Sequence, residues 1–145
     1  VLVVKSGSIK KMYQGQTIVI DRMTTILHIE DNRANQVLVE RVLAAEGYQI
    51  THAADGESGI QAAMSGKPDL ILIDMGLPDI DGQTVVTQLK QIPTLQNVPM
   101  VAITAWPAEK ALETAKRYGL SGCILKPIDV KSFPRQIAEY VEPGR

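Results

Sequence analysis

Polar residues that could do chemistry stand where apolar runs stop. Glu30 and Asp31 follow Ile26-Leu27-His28-Ile29, Asp74 follows Leu70-Ile71-Leu72-Ile73, Thr104 follows Met100-Val101-Ala102-Ile103, and Lys126 follows Gly122-Cys123-Ile124-Leu125. Three neighbouring carboxylates repel one another, and their pKa values rise unless a cation neutralises them. Open oxygen ligands suit a hard cation, and magnesium typically takes one or two carboxylates, several waters and a phosphate oxygen. A carboxylate in line with a bound phosphoryl group can act as nucleophile and become an aspartyl phosphate. The transferred group spreads negative charge over its oxygens, which Lys126 as cation and Thr104 as hydroxyl donor are suited to stabilise. Asp74 is therefore the candidate for the reacting carboxylate.

The elements that must position these residues follow from the pattern. Short apolar runs bounded by turn signals read as buried strands. Four of them end in the residues just named, and a fifth, Tyr48 to Ala53, ends in nothing that could do chemistry. Helical spacing at Ala34, Val37, Leu38, Val42 and Ala45 closes at Gly47. Further helices are expected at Ser58 to Met64, stopped by Ser65-Gly66-Lys67-Pro68, at Gln83 to Gln91, ended by Pro93, and at Ala108 to Tyr118, with Gly119 as a left-handed cap. A last helix runs to about Val141 and must start near Ser132, because Pro134 is tolerated only in a first turn. Strands alternating with helices through short connections make a parallel sheet, and strands without polar alternation are covered on both faces. The fold class is α/β, a doubly wound sandwich. Its strands share one C-terminal edge, where such sheets bind ligands, and the strand ending at Ala53 belongs on the outside.

Composition narrows the function classes. Lysine plus arginine (15) against aspartate plus glutamate (16) leaves a net charge of −1, so no global field favours nucleic acid or an anionic membrane. A single cysteine, Cys123, excludes an internal disulfide and a CxxC metal set, which fits a reducing compartment. No apolar stretch approaches the roughly 18 residues needed to span a bilayer. A cytoplasmic localisation is expected. No glycine-rich phosphate loop of the GxGxxG or GxxxxGK[ST] kind is present. Residues 1–22 differ from the rest and read as an N-terminal extension, a tag or linker remnant, ahead of a domain at 23–145 that starts at Met23. The alternative for 1–22 is a β-hairpin that covers a sheet edge or mediates pairing.

Five short motifs, in order and on the right elements, carry a resemblance: Ile29-Glu30-Asp31-Asn32, Pro68 through Met75, Leu77-Pro78 with Asp81-Gly82, Ile103-Thr104-Ala105 and Leu125-Lys126-Pro127. Over residues 24–142 the chain resembles the receiver domain of two-component response regulators, of the stand-alone or hybrid-kinase type. The resemblance implies a flavodoxin-like (βα)5 sheet with strand order 2-1-3-4-5. It makes Asp74 the phosphoacceptor, with Glu30, Asp31, Asp74 and the Gly76 main-chain carbonyl as ligands of Mg2+. Thr104 and Lys126 become the catalytic pair, and the Lys126-Pro127 bond is expected to be cis. A sensor histidine kinase or a histidine phosphotransfer protein would be the donor. A downstream partner would meet the face made by the fourth helix, fifth strand and fifth helix, through a shift of a pre-existing equilibrium. Such a protein is a switch rather than an enzyme, with no direct nucleic-acid binding and no membrane insertion.

Two positions depart from the family pattern. Cys123 stands where the family commonly has Tyr or Phe, so the switch set is Thr104 with Cys123 or, as a substitute, Trp106, the nearest large aromatic. Gly76 offers no side chain to an attacking water. The alternative function is a phosphorylation-independent pseudo-receiver that only binds partners, although the complete residue set argues against it. A haloacid-dehalogenase-type phosphohydrolase would want a second aspartate two residues after Asp74, and Gly76 is there instead. His28 reads as a core histidine with its hydrogen bonds met, and Asp79 and Asp81 as loop acids.

Overall fold

Each apolar run forms a strand in the computed structural model, which describes residues 2–5, 8–21 and 23–141. The first three strands, β1 (Leu2–Lys5), β2 (Ser8–Tyr13) and β3 (Gln16–Asp21), pair antiparallel in a sheet of their own. The extension, expected as a remnant or a hairpin, thus has one strand more than a hairpin. Then follow β4 (Thr25–Ile29), α1 (Arg33–Ala44), β5 (Gln49–Ala53), α2 (Gly56–Gly66), β6 (Leu70–Asp74), α3 (Gly82–Lys90), β7 (Met100–Thr104), α4 (Ala108–Tyr118), β8 (Gly122–Leu125) and α5 (Phe133–Val141). The five strands from β4 onward are parallel in the order β5-β4-β6-β7-β8. Counted within that sheet, the order is 2-1-3-4-5, as expected.

Helices cover both faces because the strands are apolar on both. Ile26, Leu70, Leu72, Val101 and Ile103 pack with Val39 and Leu43 of α1 and Phe133 and Ile137 of α5. Leu27, Ile29, Ile71, Ile73 and Ala102 pack on the other side with Ala63 of α2, Val85, Val86 and Leu89 of α3, and Ala115 of α4. All five residues of β6 are buried, so Asp74 ends a strand with no solvent-facing side. Each fully buried Leu or Ile here is worth about 1.5–3 kcal/mol relative to exposure.

The helix ends differ locally from the pattern. Helix α2 starts two residues early because the Asp55 carboxylate accepts the Ser58 N–H in a capping box. It ends with Lys67, not Gly66, in the left-handed conformation (φ 46°), since Pro68 prevents any continuation. Gly119 does take the left-handed C-cap of α4 (φ 74°). Past Pro93 the chain adds a 3-10 turn, Pro93–Leu95, that the pattern did not indicate; it buries Leu95 in the α2–α4 layer. Pro134 falls at the second position of α5, where its missing N–H costs nothing. Among the described residues no helix is long and apolar enough to cross a membrane.

Candidate functional site

The C-terminal edge of the sheet gathers the residues that the strand ends implied. Parallel pairing sets Ile29 beside Ile73 and Asp74 beside Ile103, so Glu30 and Asp74 leave adjacent strands at one level and Thr104 follows one residue further along the next strand. Strand β8 adds Lys126, whose N–H donates to the Thr104 carbonyl at 2.8 Å. The Lys126-Pro127 bond is cis. Lys126 Nζ donates to Asp74 Oδ1 at 3.2 Å and lies 3.6 Å from Glu30 Oε1. Carboxylate oxygens of Glu30, Asp31 and Asp74 lie within 4.8 Å of one another. Glu30 and Asp74 are buried and Asp31 is exposed, so the cluster has a closed floor and an open mouth.

Burial and the neighbouring Asp74 push Glu30 up to about 7, well above an ordinary glutamate. Burial also opposes ionisation of Asp74, but the hydrogen bond with Glu30, the Gly76 N–H and Lys126 together hold it below the usual carboxylate range. The metal-free pair thus keeps its proton on Glu30 and its charge on Asp74. One lysine is too little for three acids, and this donor set of hard oxygens open on one side fits a magnesium ion held by Glu30, Asp31 and Asp74. Gly76 stands beside them; its N–H donates to Asp74 Oδ1 at 3.2 Å, and a Cβ there would lie 3.9 Å from that oxygen.

Several residues hold the site through contacts that the sequence did not show. Asn35 Nδ2 donates to Glu30 Oε1 at 2.8 Å, and Gln36 Nε2 donates to the Glu30 carbonyl from the first turns of α1. That helix is aimed by Asn32, whose side chain accepts the Asn35 N–H. Asp79 accepts the N–H groups of Gly56 and Glu57 at 2.8 and 3.0 Å, tying the loop after Asp74 to the start of α2. Asp81 caps α3 through the Thr84 N–H. Gly82 is required by close approach: a Cβ there would meet Met75 Sδ at 2.6 Å. These acids are helix caps rather than plain loop residues.

The switch candidates separate. Thr104 is buried and its Oγ1 accepts the Trp106 N–H at 3.0 Å. Trp106 is half-buried against the α2–α4 layer, with Lys110 Nζ 4.1 Å above its ring. Cys123 lies one strand out, beside Ala102, on the wall of a groove of about 340 Å³ with Leu112, Leu125 and Pro127. His28 corrects an expectation: it is 1% exposed, but its Nδ1 has no hydrogen-bond partner. A β-strand between two strands spends its main-chain groups on the ladder, so none is left for the imidazole.

A family model of the response regulator receiver domain matches residues 26–138. The chain belongs to that family. The polar-differentiation response regulator DivK of Brucella anthropi is 32% identical over 117 residues, which is 81% of this chain and 95% of DivK. The receiver domain of the sensor histidine kinase PA1611 from Pseudomonas aeruginosa is 28% identical, with a TM-score of 0.75 over 83% of this chain and 98% of that one; its structure has magnesium coordinated in the active-site cleft. The chemotaxis response regulator CheY4 of Vibrio cholerae shares the fold (TM-score 0.78, 21% identity, 82% of this chain and 99% of that one). Receiver domains generally bind Mg2+, and in this one the acidic cluster is the place that could hold it.

Proposed function

We propose that this receiver domain accepts a phosphoryl group on Asp74 from a phosphohistidine of a sensor histidine kinase or histidine phosphotransfer protein. The observation that carries the reading is the pairing of Asp74 Oδ1 with Lys126 Nζ at 3.2 Å, beside a three-acid cluster within 4.8 Å. An Asp74 oxygen attacks phosphorus, the N–P bond of the donor breaks, and the imidazole leaves with a proton from solvent. Bound Mg2+ would neutralise charge on the transferred oxygens. Glu30, Asp31, Asp74 and the Gly76 carbonyl would hold that ion, Lys126 and Thr104 hold the phosphoryl oxygens, and Thr104 with Trp106 or Cys123 reports the change outward.

A downstream partner meets the face of α4, β8 and α5, where Leu112 and Leu125 are 55% and 41% exposed. The protein works in the cytoplasm as a switch, without acting as an enzyme on other substrates, inserting into membranes or binding nucleic acid directly. Binding without phosphate chemistry is the weaker reading, since a pure binding module has no need to keep the acids and the lysine together. Incubation with a histidine phosphotransfer protein labelled with 32P tests the proposal. Label should move to this chain with Mg2+ and stay on the donor when the metal is chelated; transfer that ignores chelation, or none at all, would contradict it.

A further inference from the structure

Position 123 carries a small thiol beside an open groove, so the side chain expected to follow Thr104 is missing there. The opposite side of Thr104 is better connected. Its hydroxyl oxygen accepts the N–H of Trp106 at 3.0 Å, and a hydroxyl that turns toward a group on Asp74 carries that oxygen with it. The freed N–H lies at a half-buried residue and must find another acceptor, so the loop cannot stay as it was.

Trp106 is held at three points: by Thr104, by the apolar layer it packs against, and by Lys110 over its ring at 4.1 Å. Lys110 lies in the first turn of α4, whose N-cap is Pro107 with no capping side chain. An uncapped first turn has fewer bonds to break when its anchor shifts. Ala108 and Leu112 of the same helix line the groove next to Cys123, and Trp106 lines a cleft of about 560 Å³ together with Thr84 and Thr87 of α3 and Tyr118 of α4.

We propose that the state of Asp74 is relayed to α4 through the Thr104 hydroxyl, the Trp106 N–H and the Trp106–Lys110 stack, and not through position 123. The relay rests on the phosphoacceptor reading of Asp74 and adds its route. Trp106 and Lys110 act on partner binding as positioning residues, and the α3–α4 cleft changes shape with the groove beside Cys123.

The test uses the whole chain with Mg2+ and beryllofluoride. 19F NMR reads occupancy of Asp74, emission of the single tryptophan reads Trp106, and hydrogen exchange reads residues 108–111. Emission and exchange should both change in step with occupancy. Lys110→Met, which keeps the stem and removes the charge, should leave occupancy as it is and lose the exchange response. Cys123→Ala should keep both responses. Unchanged emission at full occupancy, or a full exchange response in Lys110→Met, would overturn the relay while leaving the phosphoacceptor reading intact. Absence of any bound beryllofluoride would bring down that reading, and the relay with it.

Discussion

Glu30 and His28 are neighbours on one strand direction, both almost wholly buried, and the molecule treats them in opposite ways. Glu30 lies just past the end of β4, where Asn35, Gln36 and Lys126 reach it and its carboxyl is matched to Asp74. His28 lies inside β4, against His52 with ring centroids 5.3 Å apart, and its Nδ1 has nothing to bond. Burial, with His52 and Lys126 against it, drives its pKa down to about 3 in spite of Asp74. The contrast teaches that a buried polar residue becomes a site where the ladder ends, and stays a cost where the ladder continues.

Removing the cation from the favoured cluster should have the largest effect. Lys126→Met leaves Glu30 and Asp74 with no ammonium, and phosphoryl uptake measured with a small-molecule donor should slow by about 10²-fold or more. Uptake within a few-fold of wild type would show that the lysine is a bystander.

Next comes a pH dependence that belongs to the Glu30–Asp74 pair, with the proton favoured on Glu30. In the metal-free domain Glu30 holds a proton below about 7, which a metal ion must displace. Magnesium affinity should therefore fall as pH drops below 7, by about tenfold per unit, and level off above it. Because the Asn35 amide lowers the Glu30 pKa, Asn35→Ala should move this break to higher pH. Titration calorimetry across pH 5.5–9, a range of roughly two units either side of that pKa, measures both. A flat profile would mean that Glu30 is not a ligand.

His28 predicts the opposite kind of dependence, on stability rather than binding. Its folded pKa is depressed from 6.5 to about 3, so the unfolded chain takes up the proton first as pH falls. Stability should decline from pH 6.5 downward by up to about 1.4 kcal/mol per pH unit and stop declining near the folded value. His28→Leu should flatten that slope in denaturant melts; an unchanged slope would place the acid sensitivity elsewhere. The smallest effect belongs to Cys123→Tyr, which fills part of the groove and should change partner affinity more than phosphorylation rate. A change in rate alone would reverse that assignment.

Much of this was legible in the sequence because chemistry and strand ends coincide. Asp74 and Lys126 are 52 residues apart, but each follows an apolar run, and parallel pairing brings such ends together. The supports were not legible because they act across the fold. Nothing near Asp79 indicates that it caps a helix 23 residues away, and nothing in Asn35 shows that its amide meets Glu30. Leu95 was hidden in a stretch that reads as a loop after Pro93. His28 misled because burial is visible in a run of apolar residues and the absence of a partner is not. The Thr104–Trp106 bond had a signal that was available, a threonine accepting an N–H two residues on, which is a common local turn.

The central claim is that Asp74 is the residue written upon. Intact-mass measurement of the chain after incubation with Mg2+ and a small-molecule phosphodonor tests it most directly. The account predicts a gain of one phosphate in the wild type and none in Asp74→Asn. No gain in the wild type, or the same gain in Asp74→Asn, would contradict it.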